Sequence, residues 1–495
     1  MRNSKGLIVF LLLTAAASLL AMPSRERDTP RDLRFGLMSE PTTLDPLSAA
    51  NTADGRSVLF NVYEGLVKPD TEGRLVPAVA ESVAISSNAM TYTFTLRQGI
   101  RFHDGTAVSI QDVEFSLNEA RRSNFSGFNR IDRIELSGDR TIIIHLNTSD
   151  PEFLPFLTLG IVPRNNADRE GNPIGTGPYM IESYLVQQSL NLVRNPHYWQ
   201  PGLPKLDRVT VVFVADTNAI FTGLEGGNLN GAIITGENVS RLDRSRYRIY
   251  ERYSNSIQLL ALNNNVPPFD DIRVRMAVNY AIDPIEIIDT AFYGHGEPSR
   301  SPLIPGLRVY YNDALRNPYP VNLQRSRELL AQAGLSNGFS FEIRVPSNFV
   351  MHIDTAQVIV NQLARVNIRA TIRLQDWATW LTETFRGRNF EATIISLDGN
   401  TVSPQSYLSR YVSTANGNFI NYKNENYDNL FAGILREINE DARIRQYKEA
   451  QKIISDDAAS VYIQDIFAFT VLSGGFRGVL NYPLYVIDFS TIYRE

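Results

Sequence analysis

The 495-residue chain contains no cysteine. That excludes disulfides, thiolate metal sites, cysteine nucleophiles and lipid attachment through a cysteine. Leu19-Leu20-Ala21 would open a lipobox, but Met22 stands where that motif needs its cysteine. Histidine is also scarce. The five residues His103, His145, His197, His295 and His352 are scattered, and no two share the His-x-x-x-His spacing of a helical metal site. No metal or other cofactor is therefore expected. No internal repeat or low-complexity tract occurs. His-Glu-x-x-His and the spacing of a hydrolase triad are missing too. The paired carboxylates Asp270-Asp271 and Asp456-Asp457 are adjacent in sequence, so they diverge on a helix or strand. The net charge of −5 and pI of about 5.7 do not indicate a basic surface for nucleic acid.

What is present is an ordinary globular composition, 43% hydrophobic and 20% charged. At this length one core is not enough, and two or more lobes are expected. Arg2 and Lys5 precede the apolar run Leu7–Leu13 and the small residues Ala15–Ser18. This is the order of a secretory signal, read as residues 1–21, with Ala15/Ala17 or Ala21 at the cleavage site. Residues 22–32, polar and charged from Pro23 on, read as a linker. Beyond the signal no stretch is long and apolar enough to span a bilayer.

Strand and helix signals interleave, so the class is α/β or mixed α+β. Thr91–Leu96 alternates, with Tyr92, Phe94 and Leu96 on one face. Ile142–Leu146 and Val209–Val214 are β-branched runs. Asp270 or Asp271 can cap a helix from Arg273 to Ala281 that ends at Asp283-Pro284. Ser326–Ala333 reads as a second helix closed by Gly334, and Asp441–Ile454 as a third.

A series of short segments stands in fixed order: Glu40-Pro41-Thr42-Thr43-Leu44-Asp45-Pro46, Val62-Tyr63-Glu64-Gly65-Leu66-Val67, Tyr92–Arg97 followed by Phe102-His103-Asp104-Gly105, Gly175-Thr176-Gly177-Pro178-Tyr179, Arg194–Trp199 and Val274–Asp283. The series resembles the solute-binding proteins of peptide/nickel-type ABC importers, the oligopeptide- and dipeptide-binding family. The resemblance implies a two-lobe, periplasmic-binding-protein-like fold that closes on its ligand like a hinge. Lobe I would comprise residues 33–262 and 475–495, with an extra subdomain at about 55–175, and lobe II residues 263–474. The crossings would fall near Leu262–Asn265 and Gly474–Arg477. It further implies an exported, extracytoplasmic (periplasmic or cell-surface) receptor, peripheral to the membrane and monomeric. Such a receptor hands a peptide or other small solute to an ABC importer permease and catalyses nothing. A sensor or chaperone on the same fold, or a secreted hydrolase, are the alternatives.

By the same resemblance Asn51, Thr52, Ala53 and Asp54 face the cleft from lobe I, and Ser396, Leu397, Asp398, Gly399 and Asn400 from lobe II. Peptide-binding relatives have Trp, then Asp three residues later, then Pro in the second stretch. Here Leu397 and Asn400 take the Trp and Asp positions. Asn400 accepts a hydrogen bond but cannot neutralise a peptide's α-ammonium group. Asp398 is the other candidate for that role.

Four further motifs have a plain structural reading beside a functional one. Gly175–Tyr179 lacks the spacing of a phosphate loop and reads as a tight turn. His103-Asp104 reads as a turn rather than a catalytic pair. Asp271, Arg273 and Arg275 read as local ion pairing rather than a docking surface. Trp377 and Trp380, at helical spacing, read as core.

Overall fold

The computed structural model describes residues 31–48, 53–123, 125, 127–214, 216–399 and 401–495; of Ala53, Asp54, Tyr253 and Ser254 only the backbone is described. The expected signal, nearly all of the linker, Asn51, Thr52 and Asn400 lie outside the described residues.

Two long strands, Tyr247–Leu262 and Ser460–Ser473, run antiparallel and organise the molecule. Around them one eleven-stranded sheet spans both lobes. On one side it continues through Ala392–Asp398, Ser340–Pro346 and Arg369–Gln375. On the other it continues through Gly231–Ile234, Asp32–Leu37, Arg208–Phe213, Ser189–Arg194 and Tyr179–Leu185. The arrangement is the mixed α/β, two-lobe fold expected.

The long strands change cores part-way. Tyr247, Phe469 and Val471 pack with Ile220 and Ala232. Ile257, Leu259 and Ala261 pack instead with Trp380, Tyr407 and Tyr447, and Leu260 and Leu262 pack with the helices Ile272–Ala281 and Val350–Ala364. The pairing register slips between Tyr253↔Phe467 and Ile257↔Asp465, where Asn255 has a left-handed φ of 59°. A bulge of this kind bends a strand and raises its twist. The packing environments thus exchange around residues 253–257 and 465–467 rather than at Leu262–Asn265 and Gly474–Arg477.

A separate four-stranded antiparallel sheet, ordered Ala80–Ile85, Thr91–Leu96, Thr141–Leu146, Ile131–Ser137, carries the helix Ile110–Arg122 and has its own core. Its alternation buries Tyr92, Phe94 and Leu96 on one face, as their spacing predicts. Asp271 does cap the helix Ile272–Ala281, accepting from the Arg273 amide. The helices Leu323–Gln332 and Glu440–Asp456 match the other two expectations to within a turn, and Gly334 follows the first with φ 79°.

The recurring segments bond to one another. His103 Nδ1 accepts from the Gly175 amide (3.1 Å), and its Nε2 lies 3.1 Å from the Gly177 carbonyl. A backbone amide on Nδ1 fixes the neutral tautomer with the proton on Nε2, and burial pushes the ring's pKa down to about 4. A Cβ on Gly175 would meet the Val62 carbonyl at 2.1 Å, so this glycine is required by close backbone approach. The Glu64 carboxylate accepts from Lys68 (3.0 Å), Tyr198 (2.9 Å) and Trp199 (2.7 Å), which ties two more of the segments together.

Candidate functional site: a cleft between the lobes

Between the two sets of cores lies a cavity of about 2060 Å³, lined from both sides. A pocket for a drug-sized molecule occupies about 300–1,000 Å³. This cleft therefore has room for a ligand of several residues.

On the second-lobe side Ser396, Leu397, Asp398 and Gly399 all line the cleft. They are set there by the strand Ala392–Asp398, which pairs with Ser256–Leu262 from Ser256↔Asp398 to Leu262↔Ala392. The Ser396 hydroxyl is buried and meets no hydrogen-bonding partner among the described residues. Asp398 is exposed in the cleft, and its carbonyl accepts from Arg410 at 2.5 Å. Gly399 lies close against Tyr407, whose ring a Cβ would meet at 2.3 Å.

On the first-lobe side Ala53 and Asp54 begin the short helix Ala53–Leu59. From it and the turn after it, Arg56, Leu59, Phe60 and Tyr63 line the cleft. Asn51 and Thr52 lie outside the described residues just before it, as Asn400 does beside Gly399.

The residues missed by sequence reasoning are mostly aromatic or buried polar. Trp377 and Trp380 stack at 5.2 Å and 8°. Trp380 is core, 2% exposed, with its indole N–H donated to Thr393 Oγ1 at 3.0 Å. Trp377 is 40% exposed and faces the cleft beside Phe349, so the core expectation holds for one of the pair and fails for the other. A short helix brings both indoles to one face, but the domain edge stops between them.

Beneath the floor runs a buried polar chain. Gln464 Nε2 donates to Gln258 Oε1 (2.8 Å), and Gln258 Nε2 donates to His352 Nδ1 (3.0 Å) and Thr355 Oγ1 (3.0 Å). Burial pushes the His352 pKa down to about 4, and the ring reaches the cleft wall. Two residues further along the same helix, burial and then the neighbouring Glu237 hold the Asp354 carboxyl above its ordinary range.

At one edge the lobes touch directly. Glu152, from the four-stranded subdomain, accepts from Arg443 Nε at 3.0 Å and from the Ser403 hydroxyl, both in the second lobe. Glu152 and Arg443 are both buried, and burial, the largest influence, holds the Glu152 carboxyl above its ordinary range.

Other candidates resolve into local structure. Arg273 pairs with Asp271 at 2.6 Å, and Arg275 is buried against the carbonyls of Phe269 (2.8 Å) and Asp457 (2.9 Å). Gly334-Leu335-Ser336-Asn337-Gly338 has the Gly-x-Ser-x-Gly pattern of a hydrolase nucleophile. It is a helix-to-strand turn with both glycines at positive φ, not a strand-to-helix elbow, and Ser336 is not among the cleft residues. Among the described residues no group of three or more histidines and carboxylates is placed to hold a metal ion.

A family model for the bacterial extracellular solute-binding proteins, family 5, matches residues 74–419. The chain belongs to this family. Heme-binding protein A of Haemophilus influenzae is 27% identical over 473 residues, 85% of each chain. The glutathione-binding protein GsiB of Escherichia coli is 28% identical over 478 residues, 91% of each. Among solved structures, the ABC transporter-associated periplasmic binding protein DppA from Helicobacter pylori, in complex with the peptide STSA, superposes with a TM-score of 0.77 at 25% identity. That match covers 94% of this chain and 98% of DppA. CtaP from Listeria monocytogenes shares the fold with a TM-score of 0.85, covering 94% and 99%. DppA and CtaP are named as binding proteins of ABC transporters, and the family is one of extracellular solute-binding proteins. Among the described residues no helix is long and apolar enough to cross a membrane.

Proposed function

We propose that this binding protein captures a peptide or peptide-like solute between its lobes and delivers it to the permease of an ABC importer. The observation that carries the reading is the cavity of about 2060 Å³, walled by two separately cored lobes and floored by the two strands that join them. A ligand touching both walls favours the closed form over the open one by its differential contacts, and the closed form is what a permease can recognise. Catalysis is not part of this role, and the protein acts as an exported monomer. Its lobes meet at residues 253–257 and 465–467, and the ligand lies against Ser396–Gly399 on one side and the start of the helix Ala53–Leu59 on the other. Relatives are named for heme, glutathione and peptide ligands, and aromatic walls such as Trp377 and Phe349 tolerate varied groups. Mass spectrometry of small molecules released from the purified, denatured protein tests the reading, together with uptake by cells lacking the gene. A released peptide and lost peptide uptake support it. No released solute and unchanged uptake overturn it.

A further inference from the structure

Asn255 stands where the floor strand slips register, with φ 59°, and is 1% exposed. Its carbonyl accepts from the Tyr407 hydroxyl at 2.7 Å, which anchors its backbone. Asn255 is among the residues that line the cleft, and its buried Nδ2 and Oδ1 meet no partner among the described residues. The Ser396 hydroxyl is in the same condition on the adjacent strand, opposite Gln258. A backbone reason accounts for the residue type, because asparagine tolerates positive φ. It does not account for a buried donor and acceptor both left unmatched, which native interiors strongly avoid.

Resting on the reading of this cleft as a peptide-type receptor, we propose that Asn255 reads the backbone of the ligand, pairing with the N–H and C=O of a single residue held extended, with Ser396 as an accessory contact. The chemistry selects this group. An ammonium would satisfy only Oδ1 and a carboxylate only Nδ2. In an extended chain the N–H and C=O of one residue point to the same side, a donor and acceptor spaced to match a carboxamide. Side-chain identity is not involved, so the contact suits a receptor that accepts varied sequences. It differs from amine recognition at residues 398–400, because it is neutral and needs no terminus.

Isothermal titration with alanine peptides of two to five residues, and with single-ester analogues of the tightest binder, tests the assignment. Each ester replaces one amide N–H by oxygen. Wild type is expected to bind one ester analogue roughly ten- to hundredfold more weakly than the peptide. In Asn255→Gly, which keeps the positive φ, that gap should close to under threefold, with the peptide itself weakened to the ester's level. Asn255→Asp, which keeps the shape but loses the donor, should weaken the peptide as well, and it serves if the glycine variant does not fold. Peptide binding whose ester gap survives in both variants overturns the Asn255 assignment and leaves the peptide reading standing. Wild type binding none of these peptides overturns both.

Discussion

Replacing Glu152 by glutamine is expected to open the cleft rather than unfold the protein. The carboxylate joins Arg443 and Ser403 across the lobe boundary, and the side chains of Glu152 and Arg443 are only 5% and 9% exposed. The variant leaves Arg443 with the carbonyls of Glu437 (2.9 Å) and Ile438 (3.4 Å) but no counter-charge. Removing one member of a buried pair costs about 3–5 kcal/mol because a buried charge remains. Each lobe has its own core, so the cheapest relief is for the lobes to part and rehydrate the guanidinium. Ligand affinity includes the free energy of closure, so it should fall by about two to four powers of ten. The radius of gyration from small-angle scattering should rise, with little change in the melting temperature of the separate cores. Burial outweighs the pull of Ser403 and Arg443 on the Glu152 carboxyl, so the pair returns little beyond its own desolvation. The double variant Glu152→Leu with Arg443→Met should therefore restore much of the closure. A large loss of melting temperature in Glu152→Gln, with unchanged scattering and affinity, would refute this reasoning.

Three further outcomes are expected. Burial lowers the His352 pKa from 6.5 to about 4, so its contribution to stability is complete above pH 6.5 and is lost as pH falls toward 4. Between pH 7 and 5 the loss is about 2 kcal/mol in denaturant melts, and it should vanish in His352→Gln. Gly399→Ala should cost about 1–3 kcal/mol of stability and weaken ligand binding, because its Cβ would meet the Tyr407 ring at 2.3 Å; unchanged melts and titrations would show that the loop shifts freely. In titrations of free against N-acetylated peptides, Asn400→Asp should raise the preference for free amines by about two to four powers of ten, and Asp398→Ala should leave it unchanged. The reverse result would make Asp398 the amine partner.

The sequence alone carried the fold class and much of the local structure. The alternation of Thr91–Leu96, the cap at Asp271 and the glycine after Leu323–Gln332 depend on contacts a few residues apart, so they are legible in a linear string. The ordered segments carried the family for a related reason, since several constrain one another: His103 by Gly175 and Gly177, Glu64 by Tyr198 and Trp199. Tertiary structure decided whatever depends on which surfaces meet. It exposed Trp377 while burying Trp380, three residues on, because one sits at the edge of a core and the other inside it. It brought Glu152 to Arg443 across 291 residues of chain. It also made the stretch around Asn255 the bulge where two lobes change cores. Pairing across a sheet and burial at a cleft are long-range properties, and no periodicity in the chain encodes them.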